Sequence, residues 1–184
     1  MKGNELAVYR YVDKPDVRNQ GILLAIMAFS LGVVGLALVS QHVFDMQPCA
    51  WCVLQRVEFL TIAIVCGLAS ITRRSALRLA LCSLALLLSL AGVATVVWQI
   101  FVANNSYSCS LSLADRIISS LALDQLIPAV FAPRTGCADG EVDLLGIPYE
   151  LWSLAAFGLC AVASMLFCFS GAVRKVNECV YEKY

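Results

Sequence analysis

Cys49 and Cys52 are separated by Ala50-Trp51 at the mouth of an apolar segment, and Arg56 follows one helical turn later. Two cysteines three positions apart can close a small, readily exchanged disulfide. A helix N-terminus with a cation nearby favours one of the sulfurs as the reactive thiolate. Pro48 suits a chain entering a helix, since its φ is fixed and its missing N–H costs little there. At 100° per residue, Cys49, Cys52 and Arg56 fall within about 60° on one helical face, while Glu58 points to the far side. Two sulfurs and a guanidinium can therefore address one ligand together, and the chemistry they suit is electron transfer between thiols and an acceptor.

A Cys49–Cys52 bridge would close almost no loop, so it constrains the unfolded chain little and is poorly explained as a staple. Cys109 and Cys137 enclose a much longer segment, for which a stabilising disulfide and a redox role are both open. Zinc held by these four sulfurs is not expected. The second pair lacks the matching Cys-x-x-Cys spacing, and no histidine lies near it. Cys66, Cys82, Cys160 and Cys168 fall in apolar segments and Cys179 in the C-terminal tail, where packing as small reduced hydrophobes is expected.

The elements that must position these residues are membrane spans. The chain has 184 residues, 60% of them apolar, and a mean hydropathy of +0.81, well beyond what a soluble core of this size needs. A helix crosses the hydrocarbon with roughly 20 apolar residues, and four segments qualify, at about 21–43, 53–72, 79–102 and 150–172. Backbone satisfaction in lipid makes them helices. The expected fold is an all-α membrane protein, a single domain over 1–184 built as a four-transmembrane-helix bundle. A retained first span is expected in place of a cleaved signal peptide, because about twenty polar residues precede it and it is long enough for a full crossing.

Zero formal net charge is silent about partners, and no nucleic acid is expected among them. The distribution of charge is more informative. Arg73, Arg74 and Arg78 lie between spans two and three, and Arg174, Lys175 and Lys183 follow span four, which assigns these segments to the cytoplasm. Lys2, Arg10, Lys14 and Arg18 put the N-terminus on the same side. The connection 103–149 is then the outer loop, and Trp51, Trp98 and Trp152 read as an aromatic belt at the outer ends of their spans.

Only fourteen uncharged residues separate Glu58 from Arg73, so the second span must take in Arg56 and Glu58 near its outer boundary. Arg56 there either snorkels to lipid headgroups or stabilises an anion on a reduced acceptor. Glu58 either snorkels, pairs across helices or is neutral. Access from lipid, two electrons per disulfide and no dinucleotide or haem motif point by elimination to a membrane quinone, either ubiquinone or menaquinone. His42, the single histidine, lies at the depth of the site, as a proton relay to that quinone or as an interface residue. In the outer loop, Leu113, Ala114, Ile117, Ile118, Leu121, Ala122 and Gln125 trace helical spacing, which predicts a short interfacial helix carrying Cys109 and Cys137 on its flanks.

Pro48 to Arg56 at the head of span two, with Cys109 and Cys137 after span three, resembles the DsbB family of bacterial disulfide bond formation proteins. Gln41-His42-Val43, the run from Leu121 to Phe131, and Gly136-Cys137-Ala138 extend the likeness over nearly the whole chain. The resemblance implies a quinone-dependent thiol oxidase of the bacterial inner membrane that reoxidises a DsbA-type, thioredoxin-fold periplasmic protein. By the same resemblance, the donor's thiolate attacks Cys109, whose loop partner is Cys137. Electrons then pass to Cys49 and Cys52 through an interloop disulfide of Cys49 with Cys137, and Cys52 meets the quinone. A histidine found late in span three of well-known members, near the quinone, stands here as Gln99, and Ala50-Trp51 is bulkier than the dipeptide common between these cysteines.

Two other readings compete. A non-enzymatic four-helix membrane scaffold with structural disulfides would have no use for Arg56. A thiol oxidase of the vitamin K epoxide reductase type would carry its Cys-x-x-Cys near a later span, whereas here it opens span two.

Overall fold

A computed structural model of the chain describes residues 17–103, 113–135, 143–144 and 146–181, with side chains over 20–103, 113–135 and 146–169. The long helices are α1 (Val17–Val43), α2 (Ala50–Ile71), α3 (Ser75–Trp98) and α7 (Tyr149–Tyr181). Between the last two lie three short helices, α4 (Leu113–Ser120), α5 (Leu123–Leu126) and α6 (Pro128–Phe131). A two-residue antiparallel ladder, β1 (Asp143–Leu144) with β2 (Ile147–Pro148), leads into α7. Gly146 turns it at φ +77°, a conformation that glycine adopts without steric cost.

Four helices have the length and apolarity to cross a membrane, over Gln20–Val43, Ala50–Ile71, Ser75–Ala103 and Tyr149–Phe169. Their bounds shift from the sequence expectation in one consistent way. The second starts at Ala50, and the third at Ser75, directly behind the Arg73-Arg74 turn. Polar helix ends need no apolar residues, so hydropathy marks the hydrocarbon-crossing part and misses the turns beyond it. The fourth helix likewise runs on to Tyr181, past its apolar stretch.

α2 is the central helix, packed on both α1 and α3, and α7 closes the bundle against α3 and more lightly against α1. More than half of the apolar stretch of α2 is buried, against about a quarter for each of the other spans. The bundle core gathers Ile26 and Val34 of α1, Phe59, Ile62 and Cys66 of α2, Ala85 and Val96 of α3, and Phe157 and Cys160 of α7. Phe59 and Phe157 stack with centroids 3.9 Å apart and planes 11° from parallel. Gly92 makes that stack possible, because a Cβ there would collide with the Phe157 ring.

Several polar mid-bundle residues find partners inside the protein, although the buried Ser164 hydroxyl has none among the described residues. Glu58 accepts a hydrogen bond from Thr95 Oγ1 at 3.0 Å, the across-helix alternative among the three open for it. Cys66, Cys82 and Cys160 are buried among apolar neighbours, and Ser30 Oγ lies 3.8 Å from Cys160 Sγ.

A second apolar cluster lies where α2 begins, with Ala114 and Ile118 of α4 and Phe131 of α6 packed over Cys49, Ala50, Trp51, Val53 and Leu54. Trp51 departs from the belt expectation. Trp98 and Trp152 are exposed on the bundle surface, but Trp51 is 7% exposed, because the loop helices cover it. The single interfacial helix predicted over the loop is broken into three. Ala122 adopts φ +52°, ψ 25°, a left-handed conformation that ends α4, and Pro128 opens α6.

Candidate functional site

The chain enters α2 through Cys49, the N-cap residue, with φ −79° and ψ 169°. Pro48 therefore lies one step outside the cap and not in the first helical turn. Cys52 falls in that first turn, where the uncompensated N–H groups and the positive end of the helix dipole lie. The Cys49 and Cys52 sulfurs are 3.3 Å apart, within hydrogen-bonding distance.

Gln99 is the residue that addresses both sulfurs. Its Nε2 lies 3.5 Å from Cys52 Sγ and 3.8 Å from Cys49 Sγ, and the residue is 1% exposed. It opens a π-helical turn, Gln99–Ala103, that continues α3. Such a turn re-aims side chains and recurs at functional sites. Gln55 Nε2 donates to Gln99 Oε1 at 2.7 Å, which orients the amide so that its N–H groups face the sulfurs. Gln99 Nε2 also donates to Glu150 Oε1, at 3.4 Å. Glu150 stands in the first turn of α7 and is 6% exposed.

Arg56 does not snorkel. It is 6% exposed and donates from Nη1 to Gln41 Oε1 at 2.6 Å and to the Val130 carbonyl at 2.9 Å, and from Nη2 to the Ala37 carbonyl at 3.4 Å. Gln41 Nε2 in turn donates to the Ala129 carbonyl at 3.1 Å. α1, α2 and the loop helix α6 are thereby tied at one cation. Arg56 and Cys52 line a cleft with Pro48, Gln47, Tyr149 and Glu150, and Ala37 and Met46 add apolar wall. Gln47 donates to Asp45 Oδ1 at 2.5 Å, which leaves its own Oε1 buried without a hydrogen-bond partner.

Of the residues singled out from sequence, Cys49, Cys52, Arg56 and Gln99 come together at the N-terminal end of α2. His42 does not join them. Its ring is exposed and its Nδ1 lies 2.9 Å from the Leu38 carbonyl, one turn back on α1. Cys109 and Cys137 lie outside the described residues. The segment up to Thr135 is described, and it runs alongside the motif. Thr135 forms a parallel bridge with Cys49, and the Arg134 N–H donates to the Pro48 carbonyl at 3.0 Å. Sequence reasoning missed Glu150 and the roles of Gln41, Gln47 and Gln55. A carboxylate opening an apolar helix was the available signal for Glu150, while nothing local distinguishes the three glutamines. Among the described residues no group of His, Cys, Asp and Glu is arranged to hold a metal ion.

Comparison with known proteins gives a consistent picture. The model of the family described as disulfide bond formation protein DsbB matches residues 19–167. A disulfide bond formation protein B from Herminiimonas arsenicoxydans is 30% identical over 155 residues, covering 84% of this chain and 95% of the relative. One from Ralstonia nicotianae is 34% identical over 72% of this chain and 82% of its own length. Disulfide bond formation protein B 1 of Pseudomonas syringae pv. syringae is 34% identical, over 79% and 86% respectively.

Proposed function

Because this chain belongs to the DsbB family of disulfide bond formation proteins, we propose that it is an inner-membrane thiol:quinone oxidoreductase that reoxidises a DsbA-type periplasmic dithiol protein. The observation that carries this reading is the convergence of Cys52 and Arg56 on one cleft, with Gln99 bonded to both sulfurs of the motif.

A quinone ring needs a slot with apolar walls, a donor for an oxygen that gains charge, and an acceptor for a hydroxyl once reduced. Ala37, Met46 and Pro48 offer the walls, Arg56 the donor, and the orphaned Gln47 Oε1 the acceptor. These residues fit the group. Bound there, quinone supplies a two-electron, two-proton acceptor. Cys52 on the cleft wall is the sulfur that delivers the electrons, and Arg56, held by three acceptors, presents fixed positive charge where negative charge develops. Gln99 steadies whichever sulfur is anionic, because its N–H groups face both.

Electrons reach the pair by thiol–disulfide exchange, in which a thiolate attacks one sulfur of a disulfide and displaces the other. Cys109 meets the donor and Cys137 passes the electrons to Cys49. Thr135 is bridged to Cys49 and precedes Cys137 by two residues, a chain length of about 7 Å at most. That tether supports the Cys49–Cys137 exchange. Both termini and the Arg73-Arg74 turn face the cytoplasm, by the weight of basic residues on that side.

Mixing the purified protein with a soluble quinone analogue and a reduced thioredoxin-fold dithiol tests the reading. Quinone absorbance should fall catalytically, Cys52→Ser should stop it, and Arg56→Ala should slow it. No quinone reduction with several donors and both quinone types would refute the assignment and favour a scaffold with structural disulfides.

A further inference from the structure

The reaction proposed above moves two protons as well as two electrons. Oxidation of Cys49 and Cys52 breaks two S–H bonds and forms one S–S bond. The quinone takes up both electrons, and two protons are needed on its oxygens. Most polar groups at the site cannot carry them. A guanidinium does not release its proton in proteins and an amide does not ionise, which removes Arg56, Gln99, Gln55 and Gln47. His42 is turned toward Leu38, and Glu58 is bonded to Thr95 on the opposite face of α2.

Glu150 is the carboxylate among the described residues that line the cleft. It is buried at the start of α7, and it shares the Gln99 Nε2 with the two sulfurs, at 3.4 Å from Glu150 Oε1 and 3.5 Å from Cys52 Sγ. We propose that Glu150 is the proton carrier of the site, taking the proton from Cys52 as its sulfur gives up electrons and delivering it to the quinone oxygen across the cleft. The proton from Cys49 follows the same carboxylate in the second half of the reaction. Gln99 then has a second task. By donating to the carboxylate and to the sulfurs from one nitrogen, it holds proton donor and proton acceptor in register. The charged and titratable groups facing Glu150 are Cys49 and Cys52 of α2, Arg56 of the same helix, and Tyr149 beside it on α7.

This inference rests on the quinone reading, and the test separates the two. Full-length protein in detergent is given reduced dithiol donor and a soluble quinone analogue, and kcat and KM for quinone are followed across pH. Glu150→Gln preserves shape and the contact to Gln99 but removes the carboxylate. Glu150→Asp preserves the carboxylate on a shorter stem. Proton transfer by a placed side chain is worth about 100-fold or more, so Glu150→Gln should lower kcat about 100-fold with KM changed less than threefold. Glu150→Asp should recover at least tenfold of the loss, which a packing role would not permit, since aspartate fills the site less well than glutamine. Donor thiol loss in quinone-free protein, measured beside these, should proceed to the same extent in all three proteins. A Glu150→Gln protein within threefold of wild-type kcat overturns the inference alone. A wild-type protein that accepts electrons from the donor but reduces no quinone overturns the reading beneath it.

Discussion

Gln55 Nε2 donates to Gln99 Oε1 at 2.7 Å, one helix turn below the cysteine pair, and this bond decides which end of the Gln99 amide meets the sulfurs. With its oxygen occupied, Gln99 has only N–H to offer Cys49, Cys52 and Glu150. The site is thus built from α2, α3 and α7 together, with α1 and the loop helices holding Arg56 from the other side.

Gln55→Leu should release that amide. We expect thiol-dependent turnover to fall about tenfold, with loss of about 1–3 kcal/mol of stability for the buried partner left unsatisfied. Turnover beside thermal unfolding in detergent checks both. A double Gln55→Leu, Gln99→Leu variant should be more stable than Gln55→Leu alone, because the orphaned amide is gone.

Arg56→Lys should fail to replace arginine. An ammonium cannot reach Gln41, Val130 and Ala37 with the fixed fork that the guanidinium uses. The lysine variant should lose the tie between α2 and α6, seen as faster protease cleavage of the 113–135 segment, together with at least tenfold lower turnover.

Thr95→Val should destabilise the protein by about 1–2 kcal/mol, since it removes the donor from half-buried Glu58. Glu58→Gln keeps an acceptor for Thr95 and should lie within about 0.5 kcal/mol of wild type. Thermal unfolding of both variants measures the difference, and turnover of Glu58→Gln should remain normal.

Gly92→Ala should force α3 and α7 apart at the Phe157 ring and cost about 1–3 kcal/mol. Adding Phe157→Leu, which removes the ring that the new methyl meets, should recover part of the loss. A pair of melting temperatures that simply add would show that the two residues do not share this contact.

Much of this organisation is legible in the chain. Four apolar segments of crossing length can only be helices in lipid, and Cys49, Cys52 and Arg56 share a face because of helical periodicity alone. The cysteine pair at a helix start likewise follows from residue type and spacing. Other features depended on which surfaces meet. Trp51 reads as an interface residue until α4 and α6 fold over it, and for Arg56 snorkelling and anion stabilisation are both open until Gln41, Val130 and Ala37 surround it. Gln99 lies about fifty residues beyond the cysteines and Glu150 about fifty beyond Gln99, and their meeting requires the π-helical turn at the end of α3 and the entry of α7 beside it. Periodicity specifies the face of one helix, because neighbouring side chains on it are set by local geometry. The partner of that face is chosen by packing between distant segments, and only the folded bundle brings a glutamine, a carboxylate and two sulfurs to one point.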